Sequence, residues 1–510
     1  MLFRSEPEHV GALALTGEIF IRRGMYEEAA ANLARLSTIE AAPPKNRVTA
    51  GIAAVDLYEN KLDRYDRALE VLVALHHAKL SSLPVRERLA RAAARTGSWK
   101  EATAILEELM QERPEAQGRI EAARLALAIH RDRLGDMTRA GRAVVKLLEE
   151  SPADGEALDI LFGLDGVDAE TLHSIYSRAI EALLAALKTN PLDVTALKRL
   201  ARVARAIADS ELEHVALATL VLLTGPDPAS ERAISQFLAK KPRTPQRVMQ
   251  DEMRAALVAP HDDPPVSRLF QLLGPTLAEA LGPSLQSLSI GKRDRVDPKS
   301  GLALRGEIAT WASTFGIETI DLYIGGTNPM LVQGIPGETP AIVVGSGIHL
   351  PLTPPMRARI ARELWAIGRG TTVLRTRDEQ TIAAIIVAAC HLADVRFDAP
   401  PSPVLVEIEK LLTKAIARKT KKALPEICRA IVASHQDTLV WRKRALMTLA
   451  RAALVASGDV AFVVLDTLGE PPERVMTSLK NDDRAAELLR FVMSPTYVDI
   501  RRSLGLEERS

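Results

Sequence analysis

Apolar residues recur at three- and four-residue steps through roughly the first 228 residues, interrupted by short polar turns, and this spacing predicts one amphipathic helix after another. From Glu6 to about Pro228 the same unit returns: a helix, a turn of Gly-x-aromatic or Asp-x-x type, and a second helix that begins near an alanine. The turns lie at Gly24-Met25-Tyr26, Asp63-Arg64-Tyr65, Gly97-Ser98-Trp99 and Gly135-Asp136-Met137, and the alanines are Ala29, Ala68, Ala102 and Ala140, spaced by 39, 34 and 38 residues. A weaker continuation places Ala179 and Ala216 in the same series. Pro114, Pro152 and Pro191 close three of the units. Glycine permits a left-handed helix cap, alanine lets the two helices of a unit approach, and proline stops the second helix before the next begins.

Between Thr224 and Pro265 the pattern changes to prolines, at Pro226, Pro228, Pro242, Pro245, Pro264 and Pro265, which predicts a linker around short helices at 230–239 and 246–258. The basic cluster from Lys240 to Arg247 reads as solvated linker. Beyond it, helices are expected at 266–281 and 301–315, two β-branched runs at 319–324 and 340–344 read as paired strands, and the rest is helical: 353–369, 378–393, 403–420, 423–434, 441–468 and a closing helix at 482–492. The expected organisation is a helical array over 1–228, a proline-rich linker over 229–265 and a mostly helical α+β domain over 266–510. At 510 residues the chain is too long for one ordinary core.

The first stretch resembles a tetratricopeptide array, whose unit of near 34 residues carries the same glycine, aromatic, alanine and closing proline. The resemblance implies an α-solenoid that binds an extended segment of a protein or peptide partner in its groove, lined by the first helix of each unit. Arg22, Arg88, Arg91, Arg95 and Arg131 lie in or just beyond those helices and are the candidate partner-binding residues, suited to an acidic segment. Because the chain opens within such a unit without a polar cap, earlier repeats or an upstream domain are expected.

The second domain is organised around 342–370, where a strand, Gly345-Ser346-Gly347 and a polar turn lead into a helix carrying Arg362-Glu363-Leu364-Trp365-Ala366. Strand, Asn-Pro, strand, glycine and helix follow in an order similar to the HtpX-like zinc metallopeptidases. That family places a His-Glu-x-x-His pair on this helix. In such a pair two imidazoles share one helix face and hold zinc, and the glutamate activates a bound water. Here Arg362 and Ala366 stand at the histidine positions; arginine offers no lone pair and alanine no ligand atom. Glu363 remains, expected to pair with a neighbouring arginine such as Arg359. The family's third ligand, a glutamate before an Ala-Asp pair, has no counterpart upstream of Ser457-Gly458-Asp459. The resemblance therefore implies a degenerate zincin-like domain with no cofactor and no catalytic residue. The competing class is an active zinc hydrolase with rearranged ligands, and a third reading is a helical cap without peptidase ancestry.

Composition changes the picture little. Lys+Arg 66 against Asp+Glu 65 gives a net charge of +1 and no global field for nucleic acid or anionic membrane. No basic track with interleaved aromatics runs along the repeats, and no apolar run reaches the ~20 residues of a membrane span. Cys390 and Cys428 sit in apolar helical surroundings and read as buried thiols in a reducing compartment, the cytoplasm. No signal peptide is readable at the N-terminus. The oligomeric state is not encoded in any of these patterns. His349, His391 and His435 lack ligand spacing and read as surface or capping histidines, as do His76 and His77.

Overall fold

A computed structural model describes residues 9–164, 167–239, 244–262, 264–337, 339–435, 437–469 and 472–506. The expected opening of the array at Glu6, and Lys240 to Arg243 of the basic cluster, lie outside the described residues. The molecule is mainly α, 71% helical with one small three-stranded sheet, and it divides into two compact units, Met1–Ala182 and Leu183–Ser510.

In the first unit each helix packs on the next: Val10–Arg22 on Tyr26–Thr38, then Pro44–Asn60, Tyr65–His77, Leu83–Thr96, Trp99–Glu112, Ala116–Ile129 and Met137–Glu150 in turn. The turns between the helices of a pair share one device. Gly24, Asp63, Gly97 and Gly135 all adopt left-handed backbone, with φ of 73°, 52°, 81° and 63°, two residues before the next helix starts. Asp63 serves where the other turns have glycine, because aspartate tolerates this region better than most residues. Ala29, Ala68, Ala102 and Ala140 are each the fourth residue of the second helix and each fully buried. Ala179 and Ala216 are also fully buried, but they fall eleven and seven residues into their helices, so burial continues there while the register of the turn does not. Pro114, Pro152 and Pro191 each stand two residues past a helix end.

A cation–π contact joins successive repeats. In the first three units the aromatic that opens the second helix lies under a cation from the end of the following repeat's first helix: Lys61 over Tyr26 at 5.8 Å, Arg95 over Tyr65 at 4.2 Å and Arg133 over Trp99 at 5.2 Å. Such contacts contribute roughly 0.5–1 kcal/mol each at exposed sites.

The second unit takes in helices Val194–Ala206 and Ser210–Thr224, which continue the repeat pattern in the sequence. Ser210–Thr224 is buried along most of its length and packs against Val460–Leu468 and Pro472–Asn481. Its Glu211 forms a buried ion pair with Arg501 at 2.6 Å, and the His214 Nε2–H donates to the Gly458 carbonyl at 2.8 Å. The proline-rich approach folds onto this unit too: Gln246 N–H donates to the Leu504 carbonyl and Met249 N–H to that of Thr314, with Pro245 and Met249 buried.

Three strands form the sheet, β1 (Asp321–Ile324), β2 (Val332–Ile335) and β3 (Ala341–Val344), in the order β1-β3-β2; β1 runs parallel and β2 antiparallel to β3. The expected pairing of 319–324 with 340–344 is therefore present, while β2 was missed, because Val-Gln-Gly-Ile carries a glutamine and a glycine at its centre and no β-branched run. Helix Pro354–Gly368 packs on β2 and on Thr438–Ser457 and is buried nearly all round, as a central helix must be. Ile360 and Leu364 are fully buried and Ile367 half-buried. The helix ends where Gly370, at φ 66°, crosses helix Pro264–Leu281; a Cβ there would stand 2.3 Å from the Phe270 carbonyl oxygen.

The C-terminal helices differ from expectation in number. The run 441–468 is two helices, Thr438–Ser457 and Val460–Leu468, parted by left-handed Gly458 and restarted by Asp459, whose carboxylate accepts from the Phe462 N–H at 3.0 Å. The break expected near 421–422 lies instead at the extended Ile416 and Ala417, and the next helix passes through Pro425. Helices Pro472–Asn481 and Pro495–Ser503 flank the expected closing helix. Cys390 and Cys428 are both free and fully buried, in the core with Phe270 and Trp441. No helix among the described residues is long and apolar enough to cross a membrane.

Candidate functional site

Helix Leu83–Thr96 carries Pro84 in its first turn, where its fixed φ is tolerated, and is capped by left-handed Gly97. Arg88, Arg91 and Arg95 follow at steps of three and four, so they share one face. That face lines a cleft of about 600 Å³ closed by residues of helices Pro44–Asn60 and Tyr65–His77. Three of the five candidate arginines are thus brought together. Arg22, exposed at the end of Val10–Arg22, and Arg131, in the π-helical turn His130–Leu134, do not line the cleft.

The three cleft arginines are in different electrostatic states. Arg88 Nη2 binds Asp56 at 2.6 Å and Glu59 at 2.8 Å, so it is committed to the wall. Burial lowers its pKa, but the two carboxylates outweigh that and leave it raised. Arg95 stacks on Tyr65 and has no carboxylate partner among the described residues. Arg91 is exposed and has no ion-pair, hydrogen-bond or ring partner among the described residues. The two acids lining the cleft are already engaged, Glu59 by Arg88 and Glu87 by Arg113. A ligand entering here therefore meets the charge of Arg91 and Arg95 over an aromatic face. Arg131 is consumed elsewhere, by Asp132 at 2.7 Å and Glu156 at 2.9 Å, which raise its pKa.

Helix Pro354–Gly368 presents a different arrangement. Glu363 is 1% exposed. Its Oε2 accepts from the Gly334 N–H at 3.0 Å and the Gln333 amide at 3.3 Å, and its Oε1 is bound by Arg375. The arginine partner is Arg375, not Arg359, which stacks on Phe462 at 5.5 Å. Burial, with Arg362 close by, draws the Arg375 pKa down to about 10, so it stays charged at neutral pH. Arg362 binds Asp466, and Ala366 is fully buried. Asp459 caps a helix, and burial raises its pKa against the pull of Arg357. Both oxygens of Glu363 are thus held by donors, and the chemistry available to it is structural: it ties the helix to the edge strand β2. Among the described residues no three His, Cys, Asp or Glu side chains converge as a metal site would require.

Two partners were hidden in the sequence. Arg375 lies twelve residues beyond Glu363, past the Gly370 turn, and Asp466 over a hundred residues from Arg362, inside the apolar run Val-Val-Leu-Asp. The only signal for Asp466 was a lone carboxylate in an otherwise mostly apolar run. Tyr65 was visible as the turn aromatic, but its role under Arg95 needed the packing of successive repeats.

No protein-family model matches the chain, and comparison with curated proteins gives no match.

Proposed function

We propose that this chain is a non-enzymatic adaptor in which the first unit, a tetratricopeptide-like array, binds an acidic segment of a partner protein in the cleft at Arg88, Arg91 and Arg95. The observation that carries this reading is Arg91: an exposed guanidinium without a counter-ion among the described residues, beside Arg95 on Tyr65, in a cleft whose acids are already bound. Carboxylates recognise such a face through charge-assisted, bidentate hydrogen bonds. The second unit is read as a peptidase-like scaffold that has exchanged zinc ligands for ion pairs, at Arg362 with Asp466 and at Glu363 with Arg375. The setting proposed for this role is the cytoplasm.

A peptide array of acidic, neutral and basic sequences, probed with the full chain, tests the reading. Acidic peptides are retained and lose retention in the Arg91→Glu variant. Equal retention of basic and acidic peptides overturns it.

A further inference from the structure

The second unit holds another cleft, of about 330 Å³, that neither the repeat array nor the peptidase-like helix accounts for. Its apolar wall is Phe315 and Trp365, packed edge to face at 5.2 Å, with Val258 and Pro264 beside them. Three arginines surround it: Arg254, Arg268 and Arg369.

Each arginine has donors to spare. Arg369 is fixed by Asp262 through Nη2 at 3.0 Å. Asp262 itself is saturated, accepting also from Ser267, Trp441 and Thr448, so it orients Arg369 without occupying its other nitrogens. Arg254 rests against Gly316, where a Cβ would stand 2.7 Å from Nη2. Its pairing with Asp251 is 3.5 Å long and that acid is 96% exposed, so water screens it. The Arg254 Nε is buried without a partner among the described residues. Arg268 is exposed and has no partner among them.

Trp365 belongs to the wall of the cleft. It is 4% exposed, and its indole nitrogen lies inside the wall, away from the open space. The donors an oxyanion in the cleft can reach are the partly exposed guanidinium groups of Arg254, Arg268 and Arg369. Charge-assisted hydrogen bonds from such groups are the strong ones.

The geometry points to a binding site in this cleft for a small organic anion, with its phosphate or carboxylate head among Arg254, Arg268 and Arg369 and its apolar body against the Phe315 and Trp365 wall. The volume falls within the range of small-molecule sites and excludes a folded partner. The inference stands apart from the adaptor reading, since no residue is shared with the repeat array.

Indole ¹⁵N–¹H spectra of the full chain provide the test. The chain has four tryptophans and hence four indole signals, and Trp365→Phe identifies one of them. Phenyl phosphate, benzoate and inorganic phosphate are titrated separately. Phenyl phosphate or benzoate is expected to move the Trp365 signal saturably, the tighter of the two naming the head group, with inorganic phosphate at least tenfold weaker for want of the apolar body. Arg268→Ala, at an exposed position, should weaken binding about tenfold while leaving the other three indole signals in place. Inorganic phosphate binding as tightly as phenyl phosphate would overturn the organic part of the proposal. No movement of the Trp365 signal with any of the three, or movement indifferent to Arg268→Ala, would overturn the site itself.

Discussion

Replacing Glu363 with glutamine separates a structural carboxylate from a catalytic one. The substitution keeps the side chain's shape but removes the charge facing Arg375 and turns an acceptor into a donor beside Gly334 or Arg375. Removing one partner of a buried ion pair costs roughly 3–5 kcal/mol. The Arg375 side chain is 34% exposed, so water offsets part of that loss, leaving about 2–3 kcal/mol. For a unit of more than 250 residues this lowers the melting temperature by roughly 1–2 °C per kcal/mol, hence by about 2–6 °C. Scanning calorimetry of Glu363→Gln against the parent chain reads the change. A catalytic base gives the opposite result, because active-site groups are commonly held at a cost to stability and their neutralisation is tolerated. A melting temperature unchanged to within about 1 °C, or raised, would refute the structural assignment.

Leu364→Ala, at a fully buried position of the central helix, is expected to cost about 2–5 kcal/mol by chemical denaturation; a loss below about 0.5 kcal/mol would place the helix at the periphery. His214 is buried neutral, its pKa lowered to about 4 from 6.5 by burial. The unfolded chain therefore binds the proton more readily, so this contribution is fully present above about pH 6.5 and is lost as pH falls toward 4, up to about 3 kcal/mol. Melting curves of His214→Asn should show a correspondingly shallower dependence over that window, and an identical slope contradicts the assignment. Elemental analysis of the purified chain should find no stoichiometric zinc, since Arg362 and Ala366 offer no ligand atom. One tightly held equivalent would overturn the ligand assignment. The double change Arg362→His with Ala366→His should lower stability without creating a hydrolase, since an imidazole overfills the buried Ala366 site.

Local rules were legible in the sequence and long-range pairings were not. The turns at Gly24, Gly97 and Gly135, the alanines packed at the fourth helical position and the prolines beyond Glu112, Glu150 and Thr189 follow from backbone sterics over a few residues. Strands β1 and β3 and the central helix were readable from β-branched runs and apolar spacing. The three-strand order was not, because Gln333 and Gly334 interrupt the β-branched pattern of β2. Ion pairing was the least legible. Arg88 looks in sequence like a free cation, yet Asp56 and Glu59 hold it, and Glu156 joins the adjacent Asp132 on Arg131, from helices whose relative rotation no local pattern sets. Arg91 differs from Arg88 by less than one helical turn, and this alone decides that one is spent in the wall and the other faces solvent.

That difference makes Arg91 the place to test the adaptor claim. An acidic peptide retained by the full chain is titrated against the parent, Arg91→Glu and Arg22→Glu at low and high salt, with melting temperatures recorded alongside. Arg22 is an exposed arginine outside the cleft, so its reversal controls for net charge. The account predicts that Arg91→Glu weakens binding about tenfold, equivalent to about 1.4 kcal/mol, with an unchanged melting temperature. Arg22→Glu should leave the affinity within about twofold, and salt should weaken the parent complex because exposed charges are screened over roughly 10 Å at 0.1 M. Equal effects of the two reversals, or an affinity indifferent to both Arg91 and salt, would contradict it.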